Sequence, residues 1–164
     1  ALAIPTVWRF GTRSVRHFGC QCLSNTAWAF AKLLLEDEPL LEAIASRSIQ
    51  SIAQCDVQEL VNTAWAFAKR GFLHCPLMAS LASAALPRLP EFQPRDLSNT
   101  AWALAMLGIR DWPLLTAISS AAIPILPDFD MQALCNTVWA FASLALQDLP
   151  LLDSISASAL ARIA

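Results

Sequence analysis

The sequence predicts an all-α fold, an α-solenoid of four stacked 37-residue helical hairpins, on three observations. The segment Leu23–Ala31, Leu-Ser-Asn-Thr-Ala-Trp-Ala-Phe-Ala, recurs in closely similar form at Leu60–Ala68, Leu97–Ala105 and Leu134–Ala142, each copy 37 residues after the last. A Pro-Leu pair keeps the same step at Pro39, Pro76, Pro113 and Pro150. Strand signals are missing, because no sustained alternation occurs, Tyr is absent and β-branched residues are scattered. Self-similarity at this period marks units that bury their apolar faces only by stacking on one another.

In chain order, residues 1–18 read as a degenerate or truncated preceding repeat, whose apolar Ile4, Val7, Trp8 and Phe10 would cap the stack. Repeats follow over 19–55, 56–92, 93–129 and 130–164, the last incomplete, in one continuous solenoid domain. The first helix of the second copy is predicted over about 57–71. Asp56 and Asp130 offer N-cap acceptors, Pro94 suits a first helical position, and Gly71 and Gly108 are stops. The second helix opens at the periodic proline and runs through Leu77, Leu81 and Leu86. Links such as Leu89-Pro90-Glu91-Phe92 and Leu126-Pro127-Asp128-Phe129 cannot easily continue a helix. Two further columns keep phase, Ile44, Leu81, Ile118, Ile155 and Phe18, Cys55, Phe92, Phe129.

Composition narrows the function. Of 164 residues, 56% are hydrophobic and 15% charged, and this apolar excess fits helices packed on several sides. No run approaches the roughly 18 apolar residues of a membrane-spanning helix. A net charge of −2 gives no general attraction to phosphate backbones or anionic lipid. One candidate basic patch stands out, formed by Arg9, Arg13, Arg16 and His17. Five cysteines form no even framework, so they read as reduced, structural thiols of a reducing compartment, Cys55 and Cys135 in packing positions. His17-x-x-Cys20-x-Cys22 lacks a second ligand pair, so neither a metal nor a cofactor is expected. The chain begins with Ala and reads as an internal or processed segment of a longer precursor. His17 and His74 fall at different repeat phases and no phosphate loop or nucleophile motif occurs, so no enzyme and no small-molecule substrate is expected.

A helical wheel on the second copy puts Leu60, Ala64, Phe67, Ala68 and Gly71 on a packing face, and Gln58, Asn62, Ala66 and Lys69 on the other, with Trp65 at the border. The column Trp28, Trp65, Trp102, Trp139 reads as a structural wedge in the core, with a base-stacking platform as the alternative. Asn25, Asn62, Asn99 and Asn136 need a reason to sit inside helices. They read either as a hydrogen-bonded ladder between repeats or as a ligand-facing row. Residues that vary on this face are candidates for specificity: Gln21, Gln58, Arg95 and Gln132; Lys32, Lys69, Met106 and Ser143; Cys22, Glu59, Asp96 and Ala133. An identical residue can hold a stack, whereas only a changing one can read a varied ligand.

Through Leu23–Leu33, Leu-Ser-Asn-Thr-Ala-Trp-Ala-Phe-Ala-Lys-Leu, and from about Phe18 onward, the chain resembles the octotricopeptide-type repeat proteins of algal and protist organelles. The resemblance implies an α-solenoid, a chloroplast or mitochondrial location, and often RNA binding in transcript processing, stability or translation. That family's Pro-Pro-Pro-Glu-Trp stretch has no counterpart here, so no site residue is transferred from it. The expectation is a non-catalytic scaffold or adaptor for a protein partner, such as a structural subunit of a large organellar complex. The alternative is an organellar RNA-binding module using the Asn face, Lys32, Lys69, Arg95 and the basic patch.

Overall fold

The computed structural model describes residues 14–163, and among these no strand forms. Eight α-helices alternate as first and second members of hairpins: α1 Cys20–Leu33, α2 Glu38–Ser51, α3 Val57–Arg70, α4 Cys75–Ala85, α5 Pro94–Met106, α6 Trp112–Ala122, α7 Met131–Ser143 and α8 Leu149–Ile163. Short 3-10 segments follow the second helices at Ile52–Gln54, Leu86–Glu91 and Ile123–Asp128. Pro90 and Pro127 lie inside two of them, where the tighter turn accommodates residues that would break an α-helix. The apolar cluster Ile4, Val7, Trp8 and Phe10 lies outside the described residues.

The chain divides into two compact units, Ala1–Ala85 and Leu86–Ala164. In the first, α1 lies along α3, α2 packs on α1 and α4, and α4 packs on α3. Leu23, Leu40, Ile44, Phe67 and Leu77 are its largest fully buried side chains among the described residues. In the second, α5 lies along α7, α6 packs on α5 and α8, and α8 packs on α7 around Leu97, Leu115, Ile118, Phe141 and Leu151. Within each unit this is the stacking of hairpins that the repeat predicts. Buried alanines, among them Ala27, Ala31, Ala66 and Ala68, let neighbouring first helices approach closely.

The tryptophans do not occupy the core position expected of them. Trp28 is 42% and Trp139 44% exposed, and Trp65 and Trp102 are half-buried. The phenylalanine two residues on takes the interior, with Phe30, Phe67 and Phe141 all buried. Ala66, expected on the open side, is buried as well. A two-faced wheel fails here because a first helix is covered by its second helix and also by a neighbouring first helix. Its buried arc is therefore broad, and only a narrow stripe stays open.

Helix ends repeat as faithfully as helix interiors. Each second helix begins one residue before its proline, behind a capping residue. Asp37, Asp111 and Asp148 accept the backbone N–H of Leu40, Leu114 and Leu151, and in the same column His74 Nδ1 accepts that of Leu77. First helices end on one left-handed residue, Leu34 (φ 53°), Gly71 (63°), Gly108 (66°) and Ala145 (57°). The following N–H then reaches back to Phe30, Phe67, Leu104 or Phe141. Glycine adopts this conformation freely, whereas a side chain pays about 1–2 kcal/mol. Leu34→Gly and Ala145→Gly are therefore expected to raise stability by about 0.5–1 kcal/mol each, read as an increased denaturant midpoint. Leu34 is 52% exposed, so little burial is lost in the exchange.

The cysteines require a second correction. Cys20 and Cys55 form a disulfide with Cα atoms 5.3 Å apart, while Cys22, Cys75 and Cys135 are exposed and free. Their separation of 35 residues is one repeat less two. That spacing brings the first residue of α1 beside the residue preceding the N-cap of α3, a proximity invisible to a search for local ligand or disulfide spacing.

Candidate ligand face on the first helices

The narrow open stripe of each first helix is formed by positions spaced 4, 3 and 4 residues apart, which fall on one side of an α-helix. On α3 these are Gln58, Asn62, Trp65 and Lys69; on α1, Gln21, Asn25, Trp28 and Lys32. On α5 they are Arg95, Asn99, Trp102 and Met106, and on α7 Gln132, Asn136, Trp139 and Ser143. Glutamine, lysine and arginine members are exposed, as is Asn25, and the other three asparagines are half-buried. The buried residues opposite them, Leu60, Ala64 and Phe67 on α3, fix the rotation of the helix and so aim the stripe outward.

Among the described residues, none of the four asparagine side chains makes a hydrogen bond. The ladder between repeats therefore does not form, and each amide keeps its donors and acceptor for solvent or a ligand. Beside them the aromatic rings come close. In the second unit the rings of Trp102 and Trp139 lie 6.4 Å apart, inclined at 34°. In the first unit the Lys32 ammonium sits 5.3 Å from the centre of the Trp28 ring and 5.7 Å from that of Trp65, a double cation–π contact.

Charge on the stripe is sparse and partly engaged. Arg95 pairs with Asp130 at 3.3 Å, tying α5 to the N-cap of α7. The Asp130 carboxyl is held below its ordinary range, chiefly by the hydrogen bond from the Ala133 N–H and further by Arg95. Lys69 is exposed and makes no ion pair among the described residues. Two candidates belong to helix capping instead. Glu59 closes a capping box with Asp56, and Asp96 accepts the Gln93 N–H at 3.0 Å. Of the basic patch, His17 is exposed, whereas Arg9, Arg13 and the side chain of Arg16 lie outside the described residues.

No catalytic arrangement gathers on this stripe. Away from it, His74 is engaged at both nitrogens, since Nδ1 accepts from Leu77 and Nε2 lies 3.3 Å from Glu42. With Nδ1 accepting, the ring's proton belongs on Nε2, facing the carboxylate. One cluster of metal-ligating groups occurs among the described residues, Cys20, Cys55 and Glu59, whose donor atoms lie within 4.8 Å of one another. No described helix is long and apolar enough to cross a membrane.

Hairpins that stack within each unit, every first helix carrying an asparagine and a tryptophan on its open side, define a helical-repeat protein. Residues 76–163, just over half of the chain, match the family model described as RNA-editing substrate-binding complex 6 protein. The chain belongs to that family. No curated protein matches it. The expected octotricopeptide-type likeness thus holds only as far as an all-helical protein, and the family that matches is the RNA-editing one.

Proposed function

We propose that this chain is a non-catalytic subunit of an RNA-editing assembly, whose first-helix stripe holds single-stranded RNA by its bases. The four unpaired asparagine amides beside the tryptophan column carry this reading. An amide offers a donor and an acceptor to a base edge, and an indole offers a stacking plane, the two means by which unpaired bases are gripped. The ring centres of Trp102 and Trp139 lie 6.4 Å apart, close enough for neighbouring bases of one strand to meet both indoles. Family membership supports the assembly, and the repeat resemblance supports a chloroplast or mitochondrial location.

A protein-partner scaffold is the second reading, favoured by a groove on the second unit. Trp112, Leu115, Phe141, Leu146 and Pro150, together with Thr116, Gln147 and Asp148, line a cavity of about 280 Å³, and Trp112 is 56% exposed. Such a mixed surface, with an acid at its edge, suits a side chain of a neighbouring subunit better than a phosphate backbone.

Binding through bases predicts weak salt dependence. Lys32, Lys69 and Arg95 are the cations of the stripe, and single-stranded contacts contribute about 0.7 each, so the slope of log K against log salt should not exceed about 2 in magnitude. Fluorescence anisotropy with a random single-stranded RNA pool at two salt concentrations measures it. A slope steeper than about 4 would move the contact elsewhere, towards the basic patch. Absence of binding by folded protein would sink the RNA reading and leave the protein scaffold.

A further inference from the structure

We propose that Cys20, Cys55 and Glu59, with the carbonyl oxygen of Ser51, form a zinc-class metal site when the Cys20–Cys55 disulfide is reduced. The inference is independent of the RNA reading, because none of these four groups belongs to the asparagine–tryptophan stripe.

The donor set comes from three elements. Cys20 opens α1, Ser51 ends α2, and Cys55 precedes the cap of α3, whose N3 residue is Glu59. Both cysteines are largely shielded from solvent, at 9% and 8% residue exposure. The Ser51 oxygen lies 3.3 Å from Cys20 Sγ and 3.5 Å from Cys55 Sγ. The Glu59 carboxylate stays within 4.8 Å of both sulfurs, steadied by the Asp56 N–H at 2.8 Å. A tetrahedral ion with bonds of about 2.3 Å to sulfur and about 2.0 Å to oxygen has sulfur-to-oxygen edges of about 3.5 Å. The Ser51 contacts already have that length. Two thiolates and a carboxylate supply the negative charge, and the carbonyl end of α2 adds the favourable end of its helix dipole.

The chemistry balances in two steps. A dithiol reductant cleaves the S–S bond, giving two cysteine thiols and its own cyclic disulfide. A divalent zinc-class ion then displaces both thiol protons, forming two metal–sulfur bonds and releasing two protons to solvent. The sulfurs must separate to span the ion, which Cys20 at a helix start and Cys55 in an extended link can do by side-chain rotation. The disulfide and the metal thus act as alternative ties between the start of α1 and the segment that leads into α3, one for each redox condition.

The protein to test carries Cys22→Ser, Cys75→Ser and Cys135→Ser, which remove the three exposed thiols. Cobalt(II), added to this protein after phosphine reduction, is expected to bind one equivalent, with a thiolate-to-metal band in the near ultraviolet and the visible bands of tetrahedral cobalt. Zinc should displace it and raise the melting temperature of the reduced protein. The oxidised protein should take up none, a comparison that requires no further substitution. Glu59→Gln should weaken affinity about tenfold or more, and Cys20→Ser with Cys55→Ser should abolish the sulfur band. Failure of the reduced, folded protein to take up cobalt or zinc would overturn the proposal. So would equal uptake by the oxidised form or by the Cys20→Ser/Cys55→Ser protein.

Discussion

Phe67→Ala is expected to lower the unfolding free energy by about 3–5 kcal/mol, whereas Trp28→Ala, although it deletes a larger side chain, should lower it by only about 1–1.5 kcal/mol. Phe67 is fully buried and meets Phe72 edge-on at 5.9 Å, so truncation leaves a cavity that the surrounding helices cannot fill. Trp28 keeps 42% of its surface in water, and its loss removes roughly half the transfer energy of a buried indole. The Lys32 contact contributes about 0.5–1 kcal/mol at such an exposed position and is shared with Trp65. Urea denaturation of the two variants against the unaltered chain decides the matter. A Trp28→Ala variant as unstable as Phe67→Ala would return the tryptophan column to the core and remove the aromatic half of the proposed ligand face.

That contrast also shows how far the sequence could be read. The 37-residue step fixed helix number and phase because periodic burial is written directly into residue type. First helices begin at Cys20, Val57, Pro94 and Met131, in the phase set by the asparagines. The open stripe was partly legible, since Gln58, Asn62 and Lys69 fell together on the wheel. Trp65, at the border of the wheel, is half-buried rather than a core wedge: hydrophobicity alone assigns an indole to the interior, and a wheel drawn for one partner helix underestimates an arc covered by two. Glu59 and Asp96 look like ligand-facing acids until their position three residues past a cap is noticed, where a carboxylate satisfies an exposed N–H. The Cys20–Cys55 pairing was legible in principle, as residues two short of a full repeat meet between neighbouring first helices. Cysteine spacing alone does not show it, because the pairing follows the repeat rather than a local motif.

For the second unit, Trp102→Ala combined with Trp139→Ala should weaken single-stranded RNA binding by about 10- to 100-fold, as loss of base–aromatic stacking at ~1–3 kcal/mol per base implies. The helices should be spared, because Trp102 is half-buried and Trp139 44% exposed, while the interior of the same unit is held by Leu97, Ile118 and Phe141. Asn99→Ala with Asn136→Ala provides a separate measure. At about 0.5–1.5 kcal/mol per hydrogen bond the pair should cost about 5- to 100-fold on a preferred sequence, and much less on a random pool, because a planar stack tolerates any base whereas an amide does not. Lys69→Ala, by contrast, should weaken all sequences alike and reduce the salt slope by about 0.7. If the asparagine pair weakened preferred and random RNA equally, the amides would not be reading bases. If neither double variant altered affinity, the stripe would not be the RNA surface, and the groove beside Trp112 would become the place to look for the partner that explains this fold.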